Sequence, residues 1–156
     1  MTDTDTMTPS QAALDLLHEF EQGPQGGMAS VPYCDFAGHP TIGWGHRILP
    51  RERFSKPLTV AQSDDLLRSD LERFAAAVNS WVTAPITQSM FDALVCFVYN
   101  IGIGNFMKST MLKLINAGDF VAAAHEFDKW TKAAGKVMPG LVTRRHNEED
   151  LFNGVA

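Results

Sequence analysis

Residues 33–46, YCDFAGHPTIGWGH, constrain the fold of this chain more than any other stretch. Gly38, Pro40, Gly43 and Gly45 punctuate short β-prone pieces, a pattern that helices do not tolerate. Residues 33–49 therefore predict a small hairpin or three-stranded sheet, following a Gly- and Pro-rich loop over 23–32. Almost everything else reads as helix. Thr8-Pro9-Ser10-Gln11 offers a hydroxyl cap, a proline at the first helical position and Gln three residues later. Ala13, Leu16, Leu17 and Phe20 then recur at helical spacing until Gln22-Gly23-Pro24. Thr59 and Gln62 form a second capping box, and Leu66, Leu67, Leu71, Phe74, Ala75 and Val78 carry a long helix to about Trp81. Thr87 opens a third helix, with Gly102 and Gly104 at its end. Further helices are expected over 108–116, 119–131 and 141–152. One small β element beside many helices means α+β with segregated parts.

Composition narrows the classes. The chain has 156 residues and is 45% hydrophobic, enough for one compact domain with a sizeable core. No apolar run is long enough to span a bilayer, so stable membrane insertion is not expected. The start, MTDTDTMTPS, lacks the basic and apolar stretches of a secretory signal, which predicts synthesis in the cytoplasm. A formal net charge of −5 argues against nucleic acid as a partner. Lys108, Lys113, Lys129, Lys132, Lys136, Arg144 and Arg145 nonetheless suggest a local basic surface over 104–145. Cys96 sits in an apolar helical run and reads as a buried thiol, while Cys34 adjoins Asp35. No Cys/His pair has ligand spacing, so no metal site is expected.

The candidate chemistry lies around the hairpin. Glu21 ends the first helix beside Leu14 and Leu17, at the edge of the apolar stripe. A carboxyl bordering apolar surface is favoured in its neutral form, as a general acid requires. Glu19 points further from the stripe and is the alternative. Asp35 and Thr41 supply a second carboxylate and a hydroxyl. An acid with a carboxylate and hydroxyl that hold water is the set needed to hydrolyse a glycosidic bond. Gly43 and Gly45 mark either a tight bend or a backbone left bare for a polymer, and His46 calls for a hydrogen-bond partner.

Taken together, these residues resemble the phage-type lysozymes, or endolysins, of glycoside hydrolase family 24. The likeness rests on Phe20-Glu21, Tyr33-Cys34-Asp35 and Thr41-Ile42-Gly43-Trp44-Gly45-His46. It continues through Leu58-Thr59, Gln62, Asp70, FDALVCFVYNIG at 91–102, Ser109–Asp119, Ala123–Trp130 and Gly140–Phe152, covering about 9–152. The later blocks resemble the lambdoid-phage branch. One departure is the loop GPQGGMAS, which places Glu21 fourteen residues before Asp35, further than the family's usual spacing.

The resemblance implies a lysozyme-like α+β fold. A small N-terminal lobe with the hairpin (about 9–57) is joined by a long helix (about 59–81) to a mainly helical C-terminal lobe (about 82–156), with substrate between the lobes. It implies Glu21 as general acid, and Asp35 with Thr41 as the water-holding pair. Gly43, Asn100 and Ser109 would bind saccharide, with a helix C-cap and an N-cap as the respective alternatives for Asn100 and Ser109. His46 would pair with Asp70, raising the histidine pKa. Arg144 or Arg145 would reach Glu21; the alternative is i,i+4 pairing of Arg144 with Glu148 and Arg145 with Glu149 on an exposed helix face. The implied activity is a monomeric, cofactor-free muramidase acting on peptidoglycan glycan strands for host lysis, released to the periplasmic wall through a separate membrane pore. An effector or virion-associated lysozyme, a lytic transglycosylase and a non-catalytic peptidoglycan-binding module are the alternatives.

Overall fold

The computed structural model describes residues 6–155, so the sequence reading of the first five residues lies outside the described part. The chain forms two compact units, Leu17–Glu72 and the residues up to Leu16 together with Arg73 onward. Helices α1 (Gln11–Phe20) and α2 (Val60–Trp81) contribute residues to both.

The hairpin unit contains an antiparallel sheet in the order β1 (Ala29–Cys34), β2 (Pro40–Gly43), β3 (His46–Arg47). Tyr33 lies opposite Thr41, and Ile42 opposite His46. The sheet begins earlier than expected: residues 29–32 are strand, not loop, with an irregularity in register between Ala29 and Tyr33. The remaining loop is pinched at its base, where the Gly23 N–H donates to the Gly27 carbonyl at 2.7 Å. Leu17, Ile42, Leu67 and Leu71 are its buried apolar side chains. At the start of α2 the capping box forms as read: Gln62 N–H donates to Thr59 Oγ1 and Thr59 N–H to Gln62 Oε1.

The helical unit holds the larger core. Here α3 (Gln88–Ile101) packs on α7 (Pro139–Phe152). Phe97 meets Phe127 edge-on at 5.0 Å, and Phe127 meets Phe152 at 5.6 Å. Cys96 is buried as expected. Thr87 caps α3 by accepting from the Met90 N–H. Gly102, at φ 91°, ends that helix, but Gly104 lies inside the next one, α4 (Ile103–Met107). Then come α5 (Thr110–Asn116) and α6 (Phe120–His125); the expected 119–131 helix tightens instead into a 3₁₀ turn over Glu126–Lys129.

Two sequence expectations are corrected here. Helix α1 starts after Ser10, and Ser10 donates through its backbone N–H and hydroxyl to the buried Asp92 of α3. A second hairpin, β4 (Lys132–Ala133) with β5 (Lys136–Val137), interrupts the C-terminal helices. Its turn is Ala134-Gly135, with φ of 51° and 79°. The strong hairpin signal is Asn-Gly or Asp-Gly, and alanine at a left-handed position conceals it.

Candidate active site

Asp35 is the best-defined group of the site. The β1–β2 connection folds into a turn in which Asp35 Oδ1 accepts from the His39 N–H at 2.8 Å and the Ala37 N–H at 2.9 Å. The His39 bond, with the Ala37 bond and the charges of His39 and Arg47, holds the Asp35 carboxyl below its ordinary pKa, against a smaller desolvation effect. This group stays ionised and is suited to polarising water. Thr41, one residue into β2 and buried, donates its hydroxyl to the His39 carbonyl at 2.9 Å. A hydroxyl so fixed keeps its lone pairs as acceptors.

Glu21 continues the last turn of α1, its N–H donating to the Leu17 carbonyl at 2.7 Å. Its carboxyl rests against the backbone of the β2–β3 turn. A Cβ added at Gly45 would lie 2.6 Å from Glu21 Oε2, and Gly45 has φ +82°. The left-handed dihedral favours glycine at 45, and any side chain there would have to displace the Glu21 carboxyl. Glu19 is exposed. Burial and the charges of Glu21 and Asp35 raise the pKa of Tyr33, so both carboxylates act electrostatically on one phenol. The loop that lengthens the Glu21–Asp35 spacing is closed on itself by the Gly23–Gly27 bond.

Gly43 is buried at φ +68°, and a Cβ there would face Ser63 and Leu58. Its backbone conformation accounts for the glycine as a bend. His46 is buried, and Asp70 sits on α2 as expected. Nδ1 contacts Asp70 Oδ2 at 2.8 Å, and Nε2 contacts Glu52 Oε1 at 2.8 Å. The Asp70 bond, with Glu52 adding to it, raises the His46 pKa against the opposing effect of burial. Glu52 was not foreseen. It has no periodicity to betray it, and it meets His46 only because the 49–52 turn bends back through its own Leu49 N–H bond to Glu52.

A second group also escaped the sequence reading. Asp64 on α2 accepts from the Trp44 indole N–H at 2.9 Å and meets His18 Nε2 at 2.9 Å. The His18 ring stacks on Trp44 with centroids 4.3 Å apart. Asp64 follows the capping box and looks in sequence like an ordinary solvated acid near a helix start, so nothing singles it out.

The other expected residues lie in the helical unit. Ser109 caps α5: it accepts from the Leu112 N–H and donates to the Phe106 carbonyl, so its buried hydroxyl is committed to the fold. Asn100 is exposed and accepts from Arg145; the cap of α3 is Gly102. Arg144 and Arg145 are not on an exposed helix face. Both are buried, Arg144 on Glu148 and the Cys96 carbonyl, Arg145 on Glu148 rather than Glu149 and over the Phe97 ring. Two of the seven cations of the expected basic surface are therefore interior.

Among the described residues, His125, Asp128 and Glu149 bring potential cation ligands within 4.8 Å of one another. Burial and the neighbouring Asp128 raise the Glu149 pKa. Weak pairs of His125 with Glu149 (3.9 Å) and of His146 with Asp128 (3.8 Å) already account for the cluster.

The phage lysozyme family model matches residues 24–148. The chain belongs to the phage lysozyme family. It is 41% identical over 150 residues to the endolysin of Bacillus phage PZA, a match covering 94% of this chain and 55% of that protein. The chain thus spans about half the length of that relative. The structure of the endolysin from Escherichia coli O157:H7 phage FAHEc1 is 37% identical, with a TM-score of 0.82 over 94% of this chain and 93% of that one. The muramidase domain of SpmX from Asticaccaulis excentricus, also 37% identical, has a TM-score of 0.79 over 92% and 95%. The lysozyme-like α+β class expected from the sequence is therefore the fold of this phage lysozyme relative. No described helix is long and apolar enough to cross a membrane.

Proposed function

We propose that this chain is a muramidase that hydrolyses the β-1,4 bond between N-acetylmuramic acid and N-acetylglucosamine in peptidoglycan. Glu21 protonates the leaving oxygen. Asp35 and Thr41 hold the attacking water, and displacement proceeds with inversion. The observation that carries this reading is the placement of two carboxyls, each lying against backbone, around one small sheet. Asp35 is fixed by two backbone N–H groups and kept ionised, whereas Glu21 is set against a glycine backbone. Relatives named endolysin support a role in host lysis. Access to the wall through a separate membrane pore is part of the same proposal. Tuning of Glu21 by Arg144 or Arg145 belongs to the same proposal, and a shifted pH–activity profile in Arg144→Lys or Arg145→Lys tests it.

The test is digestion of purified peptidoglycan by wild type and Glu21→Gln. Mass spectrometry should find reducing-end products, and proton NMR of fresh product should find the inverted anomer. Products of the 1,6-anhydro type would instead identify a transglycosylase. No products from the wild type would leave a binding module.

A further inference from the structure

We propose that Asp64 is a positioning residue for the general acid, an inference that rests on the reading of Glu21 above. The Glu21 carboxyl lies against Gly45, and that surface is only as well placed as the β2–β3 turn. The turn is Trp44-Gly45, with Gly43 at φ +68° and Gly45 at φ +82°. Two flanking glycines give the backbone little conformational preference of its own. The side chain between them supplies the anchor. The Trp44 indole N–H donates to Asp64 Oδ1, and the other face of the arrangement is the stacked His18 ring.

The same oxygen of Asp64 meets His18 Nε2. His18 lies three residues before Glu21 on the chain that forms the last turns of α1. One carboxylate oxygen on α2 thereby ties together the two elements that frame Glu21: the helix that carries it and the turn it rests on. All three side chains are partly shielded from water, with side-chain exposures of 28% for His18 and 24% for Asp64, so the bonds compete with solvent only in part. Loss of Asp64 removes the shared anchor of His18 and Trp44 beside Glu21, without removing any group from the reacting centre.

The experiment compares Asp64→Ala and Asp64→Asn with wild type, measuring kcat and KM on soluble peptidoglycan fragments and the folded fraction by denaturant titration. The Trp44 indole N–H is followed by NMR and assigned through Trp44→Phe. Asp64→Ala should lower kcat per folded molecule by about 10- to 100-fold, the scale of a small misplacement of a catalytic group. KM should change little, and the Trp44 signal should shift and exchange faster with solvent. Asp64→Asn keeps an acceptor oxygen for the indole and should restore most of the lost kcat. If Asp64→Ala does not fold, Trp44→Phe keeps an aromatic ring but loses the donor, and should show the same kcat loss. Unchanged kcat per folded molecule, a rise confined to KM, or an Asn variant as impaired as Ala would each overturn the inference. Glu21→Gln run alongside separates the two readings. If it stays active, the acid assignment fails and the inference with it. If it is inactive while Asp64→Ala is normal, the positioning role alone fails.

Discussion

The hairpin unit and the helical unit use charge in opposite ways. In the hairpin unit the carboxyls of interest are only partly covered. The Asp35 side chain keeps 32% of its exposure although two backbone N–H groups hold it. In the helical unit the Arg145 and Glu148 side chains are fully covered and Arg144 keeps 5%, each guanidinium bonded to the same carboxylate. A half-covered, oriented carboxylate adds little to stability but can meet an incoming molecule. A closed ionic group cannot, and taking away one partner strands a charge in the interior. Neutralising a charge should therefore cost activity in one unit and stability in the other.

Glu21→Gln tests the first half of that contrast and should have the largest effect. Activity on peptidoglycan should fall by about 100- to 10,000-fold, the usual contribution of a general acid. The denaturation midpoint should barely move; a large stability loss would mean that Glu21 is structural. Glu148→Gln tests the other half. It should cost about 3–5 kcal/mol in urea unfolding, because two buried guanidiniums lose their shared counter-charge. Activity per folded molecule should fall far less than in Glu21→Gln.

Asp70→Asn sharpens the comparison, because His46 is a hairpin-unit charge used structurally. The folded-state pKa of His46 is raised, so its contribution is fully present below the ordinary value of about 6.5 and is lost as pH rises through the raised value. Wild type should exceed the variant by about 1–3 kcal/mol at pH 5–6, with a narrowing gap at higher pH. Glu52 limits the loss by keeping the other ring nitrogen paired. An equal gap at all pH values would mean that the pair is not linked to His46 ionisation. The smallest effect is at the second hairpin. Ala134→Gly relieves a left-handed alanine and should raise stability by up to about 1 kcal/mol, read as a rise in Tm.

Much of the local chemistry was legible in the sequence. The Thr59–Gln62 box, the Thr87 cap, the apolar stripe of α2 and the β2–β3 turn all follow from neighbours in the chain. The Asp35 turn belongs with them. Glu52 and the second hairpin are local and still escaped, one for want of periodicity and the other for want of an Asn-Gly or Asp-Gly turn; the rest depends on distant partners. Ser10 faces Asp92 across 82 positions, and Asp64 meets His18 across 46. The burial of Arg144 and Arg145 is of this kind too. Arginines followed by glutamates look like an exposed helix face, and α7 shows no clear apolar side. Its buried positions mix the ionic Arg144, Arg145 and Glu148 with the apolar Leu151 and Phe152, and α3 packs against the helix. Periodicity detects apolar burial and is blind to a charged interior.

The closed loop after Glu21 bears on engineering. Its base is set by the Gly23–Gly27 bond and by the tight seat of Gly23 on Ala29, where an added Cβ would lie 2.8 Å from the Ala29 Cβ. Residues 24–27 beyond that base are exposed. Lengthening such a loop costs only about 0.6 kcal/mol for each doubling. The tip is accordingly a graft point, where an epitope, a fluorophore-bearing cysteine or a short targeting peptide can be spliced in while Glu21 and β1 keep their seats.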